Sequence, residues 1–267
     1  GDRDFVKGRV VLTKDAKLAL MMELAWRMWA DEKTVFSTPE LVGFLGKLHA
    51  GKVIEFGDQE VEDIVAEVRT ASFLRRSRKG DEWHFMHRSF GEFFLARRIV
   101  NAAQSGPESL RKILDTRRID QKTIYFLSLL DDNDTLLHQL QKILTDPYAA
   151  NISENALQIL YWSGRIQCAM EEKIGDLEQL RECLRRRIPS GAQLQNAKLQ
   201  EVVLEGAPFT GADFTHSDLT KANLNRAVFQ RCRLNGANLQ DAKAEQAELI
   251  GCVTDNIVLT DAVRIAI

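Results

Sequence analysis

Proline occurs 5 times and cysteine 4 times in 267 residues, and aromatic residues make up 7%. Four scattered cysteines (Cys168, Cys183, Cys232, Cys252) exclude a disulfide-built scaffold and a paired zinc cluster. No run reaches 18 apolar residues and no charged-then-apolar leader opens the chain, so a cytoplasmic protein is expected. Charge of one sign is also missing. Lys+Arg number 36 against 38 Asp+Glu, a net −2, which excludes a strong polyanion or a nucleic-acid polycation overall. What is present is a globular balance, 45% hydrophobic and 28% charged, over a length that suits two or three units. The chain begins at Gly1 rather than Met, as a piece cut from a longer polypeptide would.

A five-residue period runs through the C-terminal third. Its large positions are Leu194, Leu199, Leu204, Phe209, Phe214, Leu219, Leu224, Phe229, Leu234, Leu239, Ala244 and Leu249, eleven of twelve being Leu or Phe. Two residues earlier stand Ala192, Ala197, Val202, Ala207, Ala212, Ser217, Ala222, Ala227, Cys232, Ala237, Ala242 and Ala247, all small apart from Val202. Five matches neither the helix (3.6) nor the lone strand (2). Residues two apart share a strand face, so the small and the large side chain both point inward, and the other three turn a corner. Four such sides make a coil of 20 residues, and coils stack at roughly 4.8 Å. Twelve repeats therefore predict three coils, a prism about 14 Å tall.

These residues, of the form Ala-(Asp/Asn)-Leu-x-x, resemble the pentapeptide-repeat family, above all in Gly211-Ala212-Asp213-Phe214-Thr215 and Gly236-Ala237-Asn238-Leu239-Gln240. The resemblance covers 190–252 and implies a right-handed quadrilateral β-helix. Phe209 is then expected under Phe229, and Leu199, Leu219 and Leu239 in a ladder. Cys232 and Cys252 become neighbours on successive coils, where a disulfide is conceivable but two thiols replacing core Ala is the plainer reading. Open coil ends need covers. The helical segment ending near Ile188 is expected to cap one end, and 253–267, with Ile257, Val258, Leu259, Val263 and Ile265, the other.

The first hundred residues read differently. Thr13 is an N-cap candidate for a helix over 13–31, with Leu18, Met22, Ala25, Trp26 and Trp29 as its apolar stripe. Thr38-Pro39-Glu40 opens a second helix to about His49, and Asp58 a third with Val61, Ile64, Val65 and Val68 inward. Runs at 72–77 and 82–87 around Arg78-Lys79-Gly80-Asp81 predict a hairpin, followed by a helix capped by Ser89. Three helices, a hairpin and a helix predict a winged helix–turn–helix over 1–105.

Within it, Trp83-His84-Phe85-Met86-His87-Arg88-Ser89-Phe90-Gly91-Glu92-Phe93-Phe94-Leu95-Ala96 resembles the winged-helix end of NACHT-type STAND NTPases, with Gly91 where that pattern has Gln. The resemblance implies that His87 reaches the β-phosphate of ADP and holds a closed state. An imidazole N–H beside a helix N-terminus suits an anion; capping or packing that helix is the alternative. No Gly-x-x-x-x-Gly-Lys-(Ser/Thr) occurs, so no cofactor is expected in this chain. ADP or ATP would enter only through an NTPase core upstream of Gly1. Short helices at 107–115, 120–130, 134–144, 153–162 and 176–187 make 106–189 a helical connector.

Other signals point elsewhere. His84 and His87, three apart on a strand, face opposite ways, so no metal is expected. Arg75, Arg76, Arg78 and Lys79 on the wing are candidate phosphate or nucleic-acid contacts. The candidate recognition helix (58–70), however, carries Asp58, Glu60, Glu62, Asp63 and Glu67, which repel a duplex. Arg185, Arg186 and Arg187 are expected to snorkel around the coil's cap. From Pro189 onward nine acidic residues face seven basic ones, too weak a charge for a DNA mimic. No nucleophile–base spacing stands out. The expectation is therefore a multidomain α + β chain, not an enzyme. It would be the regulatory part of a prokaryotic NACHT/STAND signalling NTPase, in defence or stress signalling, with the β-helix as protein-interaction or ligand-sensing surface. Its partners would be the upstream NTPase core and an unidentified protein or ligand, without nucleic acid or membrane. The alternatives are a winged-helix DNA-binding regulator with a repeat tail and a DNA-mimicking topoisomerase inhibitor.

Overall fold

The computed structural model describes residues 12–54, 61–70, 73–77, 81–130, 134–170 and 176–259. Two compact units divide after Arg98. That boundary falls inside a helix.

In the first unit, α1 (Lys14–Ala30) begins where the Thr13 hydroxyl accepts the Ala16 amide at 3.1 Å. The strand β1 (Phe36–Ser37) leads into α2 (Thr38–Ala50). Ser37 is the α2 N-cap, and its capping box with Glu40 satisfies two end amides that the helix itself cannot pair. Then come α3 (Val61–Thr70), β2 (Leu74–Arg76), β3 (Glu82–Phe85) and α4 (Arg88–Ser105). The strands form one antiparallel sheet in the order β1-β3-β2, registered by Phe36↔Trp83 and Arg75↔His84. Leu20, Leu24, Leu41, Leu45, Ile64, Val68 and Phe94 fill the core.

The face of α1 differs from the expected stripe. Leu20, Met21, Leu24 and Met28 are buried with Met22 and Ala25, whereas Leu18, Trp26 and Trp29 are only partly covered. The helix is apolar around most of its circumference, so periodicity alone does not select the inner face. The expected opening of α3 at Asp58, and Arg78 and Lys79 of the hairpin tip, lie outside the described residues.

In the second unit, α5 (Pro107–Leu114), α6 (Gln121–Leu130), α7 (Thr135–Thr145) and α9 (Leu177–Arg185) all pack on α8 (Ile152–Met170). Buried Asn155 of α8 holds the α5–α6 loop, accepting the Ile119 amide and donating to the carbonyls of Leu114 and Arg117. The repeat follows, in the same compact unit as these helices.

The repeat is a parallel coil that returns to register every 20 residues. Four ladders run through each turn: 193–213–233–253, 198–218–238–258, 203–223–243, and 208–228–248. The last joins β4 (Pro208–Thr210), β5 (Val228–Gln230) and β6 (Glu248–Ile250). The twelve large repeat positions are at most 3% exposed and the small positions at most 5%. Phe209 stacks on Phe229 with centroids 5.2 Å apart, and Phe214 meets both edge-on.

The coil does not stop at 252. Val253 and Val258 bridge to Arg233 and Asn238, so residues expected in a terminal cap begin a fourth coil. Residues 260–267 lie outside the described part.

Candidate interaction surface

Each corner of the coil turns through a left-handed residue. Five are glycines (Gly191, Gly206, Gly211, Gly236, Gly251), and the others include Glu201, His216, Lys221, Arg226, Arg231 and Asp241. An L side chain in that region costs about 1–2 kcal/mol, so something must stabilise the turn. The outward Asp or Asn of the repeat does so. Asp213 accepts the Thr215 amide and hydroxyl at 3.0 and 2.5 Å, and Asp218 does the same for Thr220. The Asn223 and Asn238 side-chain oxygens accept the amides of Asn225 and Gln240. This local bond is the physical reason for Asp/Asn before the large residue.

These bonds also set the charge of the walls. Burial pushes the Asp213 carboxyl up, but the Thr215 hydrogen bonds and the Arg233 guanidinium at 2.7 Å outweigh it and hold its pKa below the usual range. Asp218 is likewise lowered, burial opposing and Thr220 and Gln200 prevailing. The outward rows mix sign and polarity: Gln193, Asp213, Arg233 and Val253 on one wall, Lys198, Asp218, Asn238 and Val258 on the next. Val253 and Val258 are about half exposed.

The first coil has no coil before it, and helices supply what is missing. In later coils the amides of residues such as Asp213, Asp218 and Val228 donate back to the preceding turn. The equivalent Gln193 amide donates to the Leu144 carbonyl, and that of Lys198 to the Glu154 carboxylate at 3.0 Å. The equivalent of Val228 is Pro208, which has no amide hydrogen to satisfy. Glu205 carbonyl, matching the Asn225 carbonyl that accepts from Gly206, accepts the Tyr161 hydroxyl at 3.0 Å.

Arg181 of α9 donates to the Arg226 carbonyl on the second coil and pairs with Glu248 on the third. Leu177 and Leu180 cover the corner at Gly206. The expected Arg185–Arg186–Arg187 collar is different: Arg185 and Arg186 pair with Glu178 and Glu182 along α9, and Arg187 donates to Gln167. Side chains on the outer side of a helix meet their own i±3 and i±4 neighbours first.

Between α8, α9 and the coil opens a cleft of about 470 Å³ lined by Trp162, Arg165, Ile166, Leu177, Leu180, Glu205 and Arg226, among others. Arg165 donates to the Tyr161 hydroxyl at 2.9 Å, stands 3.7 Å from Glu205 and lies over the rings of Tyr161 and Trp162. Burial raises the Tyr161 pKa, only partly offset by Arg165. Nothing in the repeat period marks Tyr161, Glu154 or Arg181. Their only sequence signal is that each lies on the helical segment expected to cap the coil.

In the first unit His87 is exposed just past β3. Its Nδ1 is 2.6 Å from the Ser89 hydroxyl and accepts the Ser89 amide at 3.2 Å. The α4 cap is therefore His87, not Ser89, because the helix starts two residues earlier than expected. An acceptor Nδ1 in the neutral ring leaves the hydrogen on Nε2. Gly91 faces the Phe85 ring, which a Cβ there would meet at 3.2 Å.

Arg75 and Arg76 are exposed on β2, and Arg76 is paired with Asp81 at 2.6 Å. Arg78 and Lys79 lie outside the described residues. His84 sits opposite Arg75 inside the sheet. Among the described residues no group of three or more His, Cys, Asp or Glu is placed to hold a metal, and no helix is long and apolar enough to cross a membrane.

Comparison with known proteins agrees with the coil. The family model described as "Pentapeptide repeats" matches residues 190–226 and 222–261, in eight copies. No curated protein matches the chain. Similar solved structures include the pentapeptide-repeat protein Rfr23 of the cyanobacterium Cyanothece, 29% identical over 27% of this chain and 59% of that one, TM-score 0.19. Another is a pentapeptide-repeat protein of the Arabidopsis thaliana thylakoid lumen, 26% identical over 25% and 50%, TM-score 0.18. HetL of the cyanobacterium Nostoc, a pentapeptide-repeat protein involved in heterocyst differentiation regulation, is 22% identical over 28% and 47%, TM-score 0.23. The chain thus spans about half the length of these proteins.

Proposed function

We propose that this chain, whose residues 190–261 form a pentapeptide-repeat domain, is the non-catalytic sensor and switch portion of a NACHT/STAND-type signalling NTPase. The repeat domain, read as a right-handed four-sided β-helix, is the docking surface. Four ladders per 20-residue turn support the four-sided reading.

The observation that supports the switch reading is the order α1-β1-α2-α3-β2-β3 with an antiparallel β1-β3-β2 sheet, which we read as a winged helix. Just past its second hairpin strand stands an exposed His87 with Nδ1 engaged by Ser89. A donor there suits a phosphate oxygen supplied by a nucleotide-binding core. A ligand on the repeat that favours one packing of the winged helix would shift the closed–open balance. The DNA-binding alternative is weakened by the Arg76–Asp81 pair on the wing. The DNA-mimic alternative is weakened by walls of mixed sign, such as Asp213 beside Arg233.

Two measurements test the reading. The chain alone is expected to show no ATP or GTP turnover, and sustained hydrolysis abolished by a point substitution in it would overturn the non-catalytic role. In the parent polypeptide with its nucleotide-binding core, ADP should co-purify with the wild type and be lost from His87→Ala; equal retention would remove the switch.

A further inference from the structure

Cys232 and Cys252 occupy the same inward small position on consecutive coils. Their neighbours Arg233 and Val253 are bridge partners, and the Val253 amide donates to the Cys232 carbonyl at 3.0 Å. Main chains paired in this way lie about 4.8 Å apart, inside the roughly 4.4–6.8 Å window of Cα separations that a disulfide accepts. Both thiols are free, and they point the same way. Cys232 Sγ donates to the Phe209 carbonyl at 3.6 Å and Cys252 Sγ to the Phe229 carbonyl at 3.1 Å, each 23 residues back. The same setting on adjacent coils leaves sulfur beside sulfur. Access is graded: Cys232 is fully buried, whereas Cys252 is partly exposed at the start of the fourth coil.

We infer that Cys232 and Cys252 form a reversible disulfide, made by exchange with a small disulfide of the glutathione class, which clips the third coil to the beginning of the fourth. The partly exposed Cys252 loses its proton to solvent and attacks one sulfur of the small disulfide. That S–S bond breaks, and the first glutathione leaves as thiolate and takes up a proton. Cys232 then gives its proton to solvent and attacks the Cys252 sulfur, and the second glutathione leaves likewise. Two protein thiols have become one disulfide and one small disulfide has become two thiols, so electrons and protons balance.

Two features make this a switchable mark rather than a permanent staple. Burial pushes the Cys232 thiol up to about 12, so its attack limits the rate and speeds up as pH rises. Cβ atoms stacked at the coil spacing stand farther apart than the mean of about 3.8 Å in disulfides. The closed bond is therefore strained, and a strained disulfide is easily reduced.

The test uses the whole chain with oxidised glutathione, followed by alkylation, intact mass and peptide mapping. The expected product has lost two hydrogens, joins the peptides of Cys232 and Cys252, forms faster at higher pH and is reversed by dithiothreitol. Its unfolding midpoint should lie above that of the reduced chain. Ala fills the same position at 192 and 212, so Cys232→Ala and Cys252→Ala should keep the coil. Cys232→Ala should stop with one glutathionyl group on Cys252, and Cys252→Ala should form neither an adduct at Cys232 nor a link from it. A wild type that stops at the glutathionyl adduct, links other cysteines, or keeps both thiols alkylatable overturns the inference.

Discussion

The Tyr161 hydroxyl donates to the Glu205 carbonyl at 3.0 Å, doing for the first coil what a main-chain amide does for each later one. The end of the β-helix is thus closed by hydrogen-bond mimicry as well as by apolar cover, and the edge that would otherwise pair with another chain is occupied.

Tyr161→Phe removes that donor and the acceptor for Arg165 while keeping the ring. The expected loss is about 1–3 kcal/mol, the cost of leaving buried partners unmatched, read as a lower urea midpoint. The raised Tyr161 pKa adds a pH signature. A group whose folded pKa is raised contributes stability below its unfolded value, about 10, and loses it as pH rises through the folded one. The alkaline decline should therefore be shallower in Tyr161→Phe, and an identical decline would count against the burial of this hydroxyl.

Asp213 should shape the acid limb. Its folded pKa is lowered, so its contribution is present above the unfolded value, about 3.9, and disappears as pH falls through the folded one. Asp213→Asn should flatten the acid unfolding curve of the repeat domain. Asp213→Ala should in addition cost about 1 kcal/mol at neutral pH through loss of the Thr215 bonds.

Phe229 joins two coils through its stack on Phe209 and its edge contact with Phe214. Phe229→Ala should cost about 3–5 kcal/mol, measured by thermal or urea unfolding. A loss under 1 kcal/mol would mean that the shaft is not packed at this level.

Two corner glycines separate backbone strain from contact with α9. A Cβ on Gly211 meets nothing nearer than 3.9 Å, whereas one on Gly206 meets Leu177 at 3.2 Å and Leu180 at 3.4 Å. Both have positive φ, so each alanine should cost about 1 kcal/mol or more for the left-handed turn. Gly206→Ala should cost more and should speed proteolysis of α9; equal effects of the two would show that α9 does not bear on that corner.

Much of this was legible in order of residues. The large and small inward files, the Phe209–Phe229 stack and the neighbouring cysteines follow from the five-residue period, because every inward position repeats the same local geometry. Secondary structure around the hairpin follows from turn and apolar runs. The inner face of α1 does not, since nearly every side of that helix is apolar. The period does not mark the fourth coil, because Val253 and Val258 are outward residues on a turn whose inward pattern weakens. The α4 cap is not legible either, because an imidazole acting as cap has no distinctive spacing and Ser89 is the usual residue type.

Periodicity alone dictated that 190–250 must wind as a coil, since only a returning strand buries residues five apart. The tertiary structure decided what ends that coil. Leu144, Glu154, Tyr161 and Arg181 come from three helices and meet the coil through contacts mostly more than 40 residues distant in sequence. Hydrogen bonds of that kind depend on where whole helices pack on α8, which no local pattern encodes.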